Sequence, residues 1–103
     1  MAKNEKLYTD GGQVSVGATA EVVTWTSPVR DWTITNNGSK TVYVNLDGDG
    51  TDITANALLY YPLAANETIT ASIFGTGLWI GSVAFICAAA ESSTVKYLVI
   101  GNY

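Results

Sequence analysis

The residues best able to do chemistry in this chain lie together at positions 45–52, NLDGDGTD, where Asp47, Asp49 and Asp52 supply three carboxylates interleaved with Gly48 and Gly50. Counted from Asn45, Asp47 and Asp49 take the third and fifth places and Gly50 the sixth, the opening spacing of a helix-flanked calcium loop. The twelfth place falls on Asn56, which has no carboxylate to close the coordination shell in bidentate fashion. The flanks also read as strand, YVNL before and LLYY after, where such a loop needs helices. The stretch is therefore expected to be a solvated strand connector, with a weak calcium site on Asp47, Asp49 and Asp52 as the alternative.

Other chemistry is thinly provided. The chain has no histidine, which removes the commonest general base and most zinc sites. Carboxylate pairs can act as acid and base in glycoside hydrolysis, but most carboxylates here fall in turns or at outward strand positions, where solvent keeps them ordinary. Nothing resembles a phosphate-cradling glycine loop. The single cysteine, Cys87, lies in an apolar run and is expected to be a core thiol with no internal disulfide. These residues predict a protein without catalytic, metal or cofactor-binding residues, so not an enzyme.

Charge narrows the partners. Nine acids against five bases give a net charge of −4, and Lys3, Lys6, Arg30, Lys40 and Lys96 never cluster. Nucleic acid needs a basic stripe and anionic membrane a polybasic segment, so neither is an expected partner. The polar start, MAKNEKLYTDGG, does not read as a signal peptide, and the apolar run at 83–90 is too short to span a bilayer. Synthesis in the cytoplasm and a soluble product are the expectation.

The elements that would position these groups are short β runs cut by Gly, Asn, Asp and Pro, in a chain of 103 residues with room for one domain. Residues 1–13 carry no periodicity and hold Asp-Gly-Gly, so they read as an extended N-terminal arm ahead of a β-sandwich domain at 14–103. EVVTWTS (21–27) sets Val23 and Trp25 on one face, and Ser27-Pro28 then predicts a break. DWTITN (31–36) turns Trp32 and Ile34 inward and Asp31, Thr33 and Thr35 outward. Asn36-Asn37-Gly38-Ser39 predicts a hairpin turn into KTVYVNL (40–46), with Val42, Val44 and Leu46 inward. ALLYYPL (57–63), a turn at 64–66, ETITASIF (67–74), LWI (78–80), VAFICA (83–88) and STVKYLVIG (93–101) follow. About eight strands at this spacing, without helix, predict an all-β fold: an antiparallel β-sandwich or small jelly roll.

LWI, FIC and YLVI are apolar on both faces, whereas a lone antiparallel sandwich keeps one face wet. Their second face calls for cover by another copy or a partner protein, or by the ends of the sandwich itself. Trp79, Ile86, Leu98 and Ile100, with Leu7 and Tyr8 of the arm, are the candidate interface residues. Trp25 and Trp32 share faces with Val23 and Ile34 and read as core. Trp79, Tyr43, Tyr60 and Tyr61 remain for exposure, either at an oligomer interface or as a sugar-stacking platform. Asn37-Gly38-Ser39 and Asn66-Glu67-Thr68 match the glycosylation acceptor pattern and mark two exposed turns.

The order of motifs, SPVRDWTITNNGSKTVYVNL followed by YYPLAANETITASIFGTGLWIGSVAFICAAAESSTVKYLVIG, resembles the small β-sandwich structural proteins of tailed bacteriophages. The shared features are an arginine before a strand that ends in an N-N-G-S turn, a T-V-Y-V strand, a G-T-G hairpin and a closing V-x-Y-L-V-I strand, over roughly residues 20–101. Asn66 departs from the glycine usual in its turn. The resemblance implies a virion component: a capsid decoration (cement) protein, a head-fibre base or a small tail module, usually a homotrimer, bound to the major capsid protein or other virion proteins. The alternative is a carbohydrate- or receptor-binding module of a fibre, tail or baseplate.

Overall fold

In a computed structural model, the structure describes residues 7–46, 53–56, 60–70 and 80–102. The acidic stretch 47–52 and Trp79 lie outside them, and Leu7 and Tyr8 are described by their backbone pairing alone. Seven strands run through the described residues: β1 (Leu7–Val16), β2 (Glu21–Asn36), β3 (Val42–Leu46), β4 (Tyr61–Leu63), β5 (Thr68–Thr70), β6 (Ile80–Ile86) and β7 (Ser93–Asn102). All pairings are antiparallel.

Strand β2 belongs to two sheets. Its first part, Glu21–Thr24, pairs with β6, and its last part, Asp31–Asn36, pairs with β7, with Thr33–Thr35 also pairing β5 on the other side. The ladder with β6 shifts register between Thr24 and Val29, which brackets Ser27-Pro28, and the ladder with β7 shifts between Val29 and Asp31. The expected break is thus a change of sheet within one long strand, as proline's missing donor allows at a bend. Among the described residues one sheet runs β1-β7-β2-β5 and the other β2-β6-β3-β4, four strands each with β2 shared between them, in an all-β sandwich.

Alternation decides the core. Trp32 and Ile34 of β2, Val42 and Val44 of β3, Val83 and Phe85 of β6, and Val95 and Val99 of β7 are buried between the sheets. Val23 and Leu46 are partly buried against that core, as their alternation predicts, and Trp25 and Cys87 complete it.

Two expectations change here. Residues 7–13, read as arm, are the first part of β1, paired residue for residue with β7 from Leu7–Asn102 to Val16–Ser93. Its inward positions are hard to recognise because two of them are Asp10 and Gly12. Asp10 Oδ2 accepts a hydrogen bond from Trp25 Nε1 at 3.1 Å. A side chain at Gly12 would come within 2.8 Å of the Tyr97 hydroxyl, so the Tyr97 ring fills the place that the glycine leaves open. That ring also meets Trp25 edge to face at 6.0 Å.

The second change is the turn after Asn36. β2 and β3 are not hairpin partners, since β3 pairs with β4 and β6 while this end of β2 pairs with β5 and β7. Residues 37–41 therefore cross from one sheet to the other. The β4–β5 connection makes the same crossing beside it, and β6–β7 a third.

Asn36 ties these three crossings together. Its side chain is 0% exposed. Nδ2 donates to the Lys40 carbonyl at 2.7 Å and the Leu63 carbonyl at 2.9 Å, while Oδ1 accepts from Gly38 N at 3.0 Å and Ser93 Oγ at 2.6 Å. Its backbone N–H donates to Glu67 O at 2.9 Å and its carbonyl accepts from Asn66 N at 2.7 Å. Both amide donors and both acceptor sites are used, so the buried group carries no desolvation debt.

The β4–β5 turn is built in the same way. Asn66 holds φ 64°, a left-handed conformation that asparagine tolerates. Glu67 accepts from Ala64 N at 2.8 Å with one carboxylate oxygen and from the Tyr61 hydroxyl at 2.9 Å with the other. The Glu67 hydrogen bond, followed by burial and the Glu67 charge, raises the Tyr61 pKa above 10.0; burial and then Asp10 raise that of Tyr97. A phenol whose folded pKa is raised contributes stability that is whole below pH 10.0 and is lost as pH rises through the folded value. An alkaline titration followed by phenolate absorbance is expected to show late-titrating tyrosines, one of which disappears in Tyr61→Phe.

Candidate partner interface

Catalytic and metal chemistry find no assembled group among the described residues. No cluster of three His, Cys, Asp or Glu that could hold a metal ion occurs there. Cys87 is buried, with Sγ 3.7 Å from the Val16 carbonyl, and burial followed by the Glu91 charge pushes its thiol pKa up. Trp25 and Trp32 are buried and present no face to a sugar. Tyr43, Tyr60 and Tyr61 are half-buried, and the Tyr61 hydroxyl is committed to Glu67. No helix among the described residues is long and apolar enough to cross a membrane.

The exposed apolar groups lie on the outer faces of the sheets. In β7, Val95 and Val99 point into the core, so Lys96, Leu98 and Ile100 point out. Leu98 is 51% exposed and Ile100 38%. The register gives Leu98 short neighbours on both sides, Gly11 of β1 and Thr33 of β2, and places Thr70 beyond. Ile100 lies between Thr9 and Asp31. Beside Leu98 the surface dips into an open depression lined also by Gly11, Gln13, Asn37 and Lys96. The rest of this face is rich in threonine, with Thr35 Oγ1 and Thr68 Oγ1 2.8 Å apart in a cross-strand hydrogen bond. Two large aliphatic side chains thus stand above a mostly uncharged floor, with Asp31 beside Ile100 and Lys96 beside Leu98 as its charged members among the described residues.

The other sheet carries a smaller apolar surface. Val22, 40% exposed, pairs with Ala84, and half-buried Ile86 pairs with Tyr43, which pairs in turn with Pro62. The candidate residues therefore divide: Leu98 and Ile100 share one face, Ile86 lies on the opposite one, and Leu7 begins the edge strand beside β7. Val22 belongs to the Ile86 surface. Its outward phase beside Val23 and Trp25 was the available signal.

No family model and no curated protein matches the chain. Among solved structures it is similar to a conserved protein of unknown function from Streptococcus pyogenes, at 17% identity over 98% of this chain and 77% of that one, with a TM-score of 0.47. It is also similar to a chain from the endospore appendages of Bacillus, which form disulfide-linked pili, at 13% identity over 100% of this chain and 92% of that one, with a TM-score of 0.52. At these identities the likeness concerns the fold.

Proposed function

We propose that the chain is a non-enzymatic structural protein of a bacteriophage particle, which decorates the capsid as a homo-oligomer and stabilises the shell by clamping neighbouring capsid subunits. The observation that carries this reading is the pair Leu98 and Ile100, exposed on a threonine floor in a strand whose other face is fully used by the core. Such a pair contributes to binding by apolar burial and needs no catalytic group. The phage identity comes from the motif order between residues 20 and 101, and the trimeric state belongs to that same resemblance. The pilus fold likeness is compatible with a subunit that assembles in many copies. Cys87, the single cysteine in the sequence, is buried, so the assembly proposed here is non-covalent.

Locating the protein in images of intact particles tests the reading directly: many symmetric copies on the shell are expected. Particles lacking it should rupture at lower temperature or after milder osmotic shock. Leu98→Lys with Ile100→Lys is expected to leave thermal stability within about 0.5 kcal/mol, because both side chains face solvent. Shell binding should fall about tenfold or more, the cost of losing a central apolar contact. A carbohydrate- or receptor-binding module would instead appear in few copies and lose glycan binding when Trp79 or Tyr60 is replaced by alanine.

A further inference from the structure

The free edges of the two sheets differ in how well they are protected. Among the described residues β4 and β5 span three residues each, β5 up to the last residue described there, and β4 has Pro62 at its centre. The first part of β2 is a short edge that runs into the register shift around Pro28. β1 is ten residues long, LYTDGGQVSV, with neither proline nor lysine. Among the described residues it pairs with β7 alone. Its single charge, Asp10, is turned inward and accepts from Trp25 Nε1. A long, neutral edge without blocking residues is a template for strand pairing, which proteins otherwise suppress with charge, proline or shortness.

We propose that β1 is a self-association edge, on which a second copy of this chain pairs its own β1 antiparallel across a two-fold axis. The proposal rests on the assembling role above and names one partner and its contact, a two-fold pair distinct from the three-fold one that the resemblance implies. A two-fold that relates antiparallel neighbours stands perpendicular to the sheet, so one residue faces its own copy. Near the middle of β1 that residue is Gly11, exposed and without a side chain to collide at the axis. The exposed positions beside it, Gln13 and Ser15, are small or neutral, so a chain of net charge −4 meets no concentrated charge there. Pairing joins two four-strand sheets into one of eight strands. It also brings the Leu98 of each copy onto one continuous face, with Gly11 and Gly11 of the partner subunit between them. The two leucines then stand three strand spacings apart, about 14 Å.

Sedimentation equilibrium over a dilution series tests this on the full chain. A reversible dimer is expected, and Gln13→Lys with Ser15→Lys should weaken it about tenfold or more while the dilute protein melts at an unchanged temperature. Gly11→Cys, with Cys87 left buried, should form a cross-linked dimer when a diazene oxidant takes up the two thiol protons and two electrons. Leu98→Cys should not, since about 14 Å is far beyond disulfide reach. A wild-type protein monomeric at every concentration overturns the proposal, as does an oligomer indifferent to the two lysines, or a Leu98→Cys protein that cross-links where Gly11→Cys does not. A shell-bound monomer removes the edge contact alone. A lysine-sensitive dimer that never binds a shell removes the virion reading alone.

Discussion

Replacing Asn36 by alanine is expected to cost about 3–5 kcal/mol of folding stability, a large part of what a domain of this size possesses. The magnitude follows from what the substitution orphans. The Leu63 carbonyl and Ser93 Oγ lose buried partners, at about 1–3 kcal/mol each, and the Lys40 carbonyl and Gly38 N–H lose part-buried ones at somewhat less. Because these groups come from three different sheet crossings, no single loop can relax to satisfy them. Urea unfolding with an unchanged slope and a lowered midpoint would register the loss. Asn36→Asp sharpens the test: a carboxylate would turn lone pairs toward the Lys40 and Leu63 carbonyls that now receive N–H bonds. That variant should be more stable at acid pH than at neutral pH, since protonation restores one donor and removes a buried charge. An Asn36→Ala protein within about 1 kcal/mol of wild type would show that the corner is held by its backbone bonds instead.

The same corner shows what a sequence can and cannot reveal. The alternation at 31–36 and 40–46 identified the buried Trp32, Ile34, Val42 and Val44, because the period of a strand is a local property. The turn chemistry of Asn36-Asn37-Gly38 was equally local and equally legible. Which strand the turn leads to was not, for a reversal of direction looks alike whether the chain rejoins its neighbour or changes sheets. The deciding contacts, Ser93 and Leu63, come from 57 and 27 residues away.

Strand β1 failed a different test. Its inward face is completed by other strands, Tyr97 filling the space at Gly12 and Trp25 satisfying Asp10, so its own residues show no apolar period. The divided interface has the same cause: apolarity on both faces marks Ile86 and Leu98 alike, but only pairing assigns them to opposite sides of the sandwich.

Gly38→Ala should be comparably damaging, at about 3 kcal/mol, for a steric reason. A Cβ at Gly38 would overlap Ser93 Oγ and come within 2.8 Å of Ser93 Cα and Cβ. The backbone of Gly38 is outside the left-handed region, so the requirement concerns space and not φ. Neither side can yield easily. Ser93 is held in the ladder opposite Val16, and Asn37 N donates to Thr94 O at 2.8 Å, fixing the crossing against the start of β7. The methyl group must therefore lift the β2–β3 crossing from β7 and stretch the bonds that Asn36 makes there. Ser93→Gly in the same chain removes two of the three crowded atoms, at the cost of the hydrogen bond to Asn36 Oδ1. The double variant is then expected to be about 1–2 kcal/mol more stable than the sum of the single losses predicts, the signature of two groups competing for one volume. Strict additivity would mean that Gly38 is required for a reason other than close approach to Ser93.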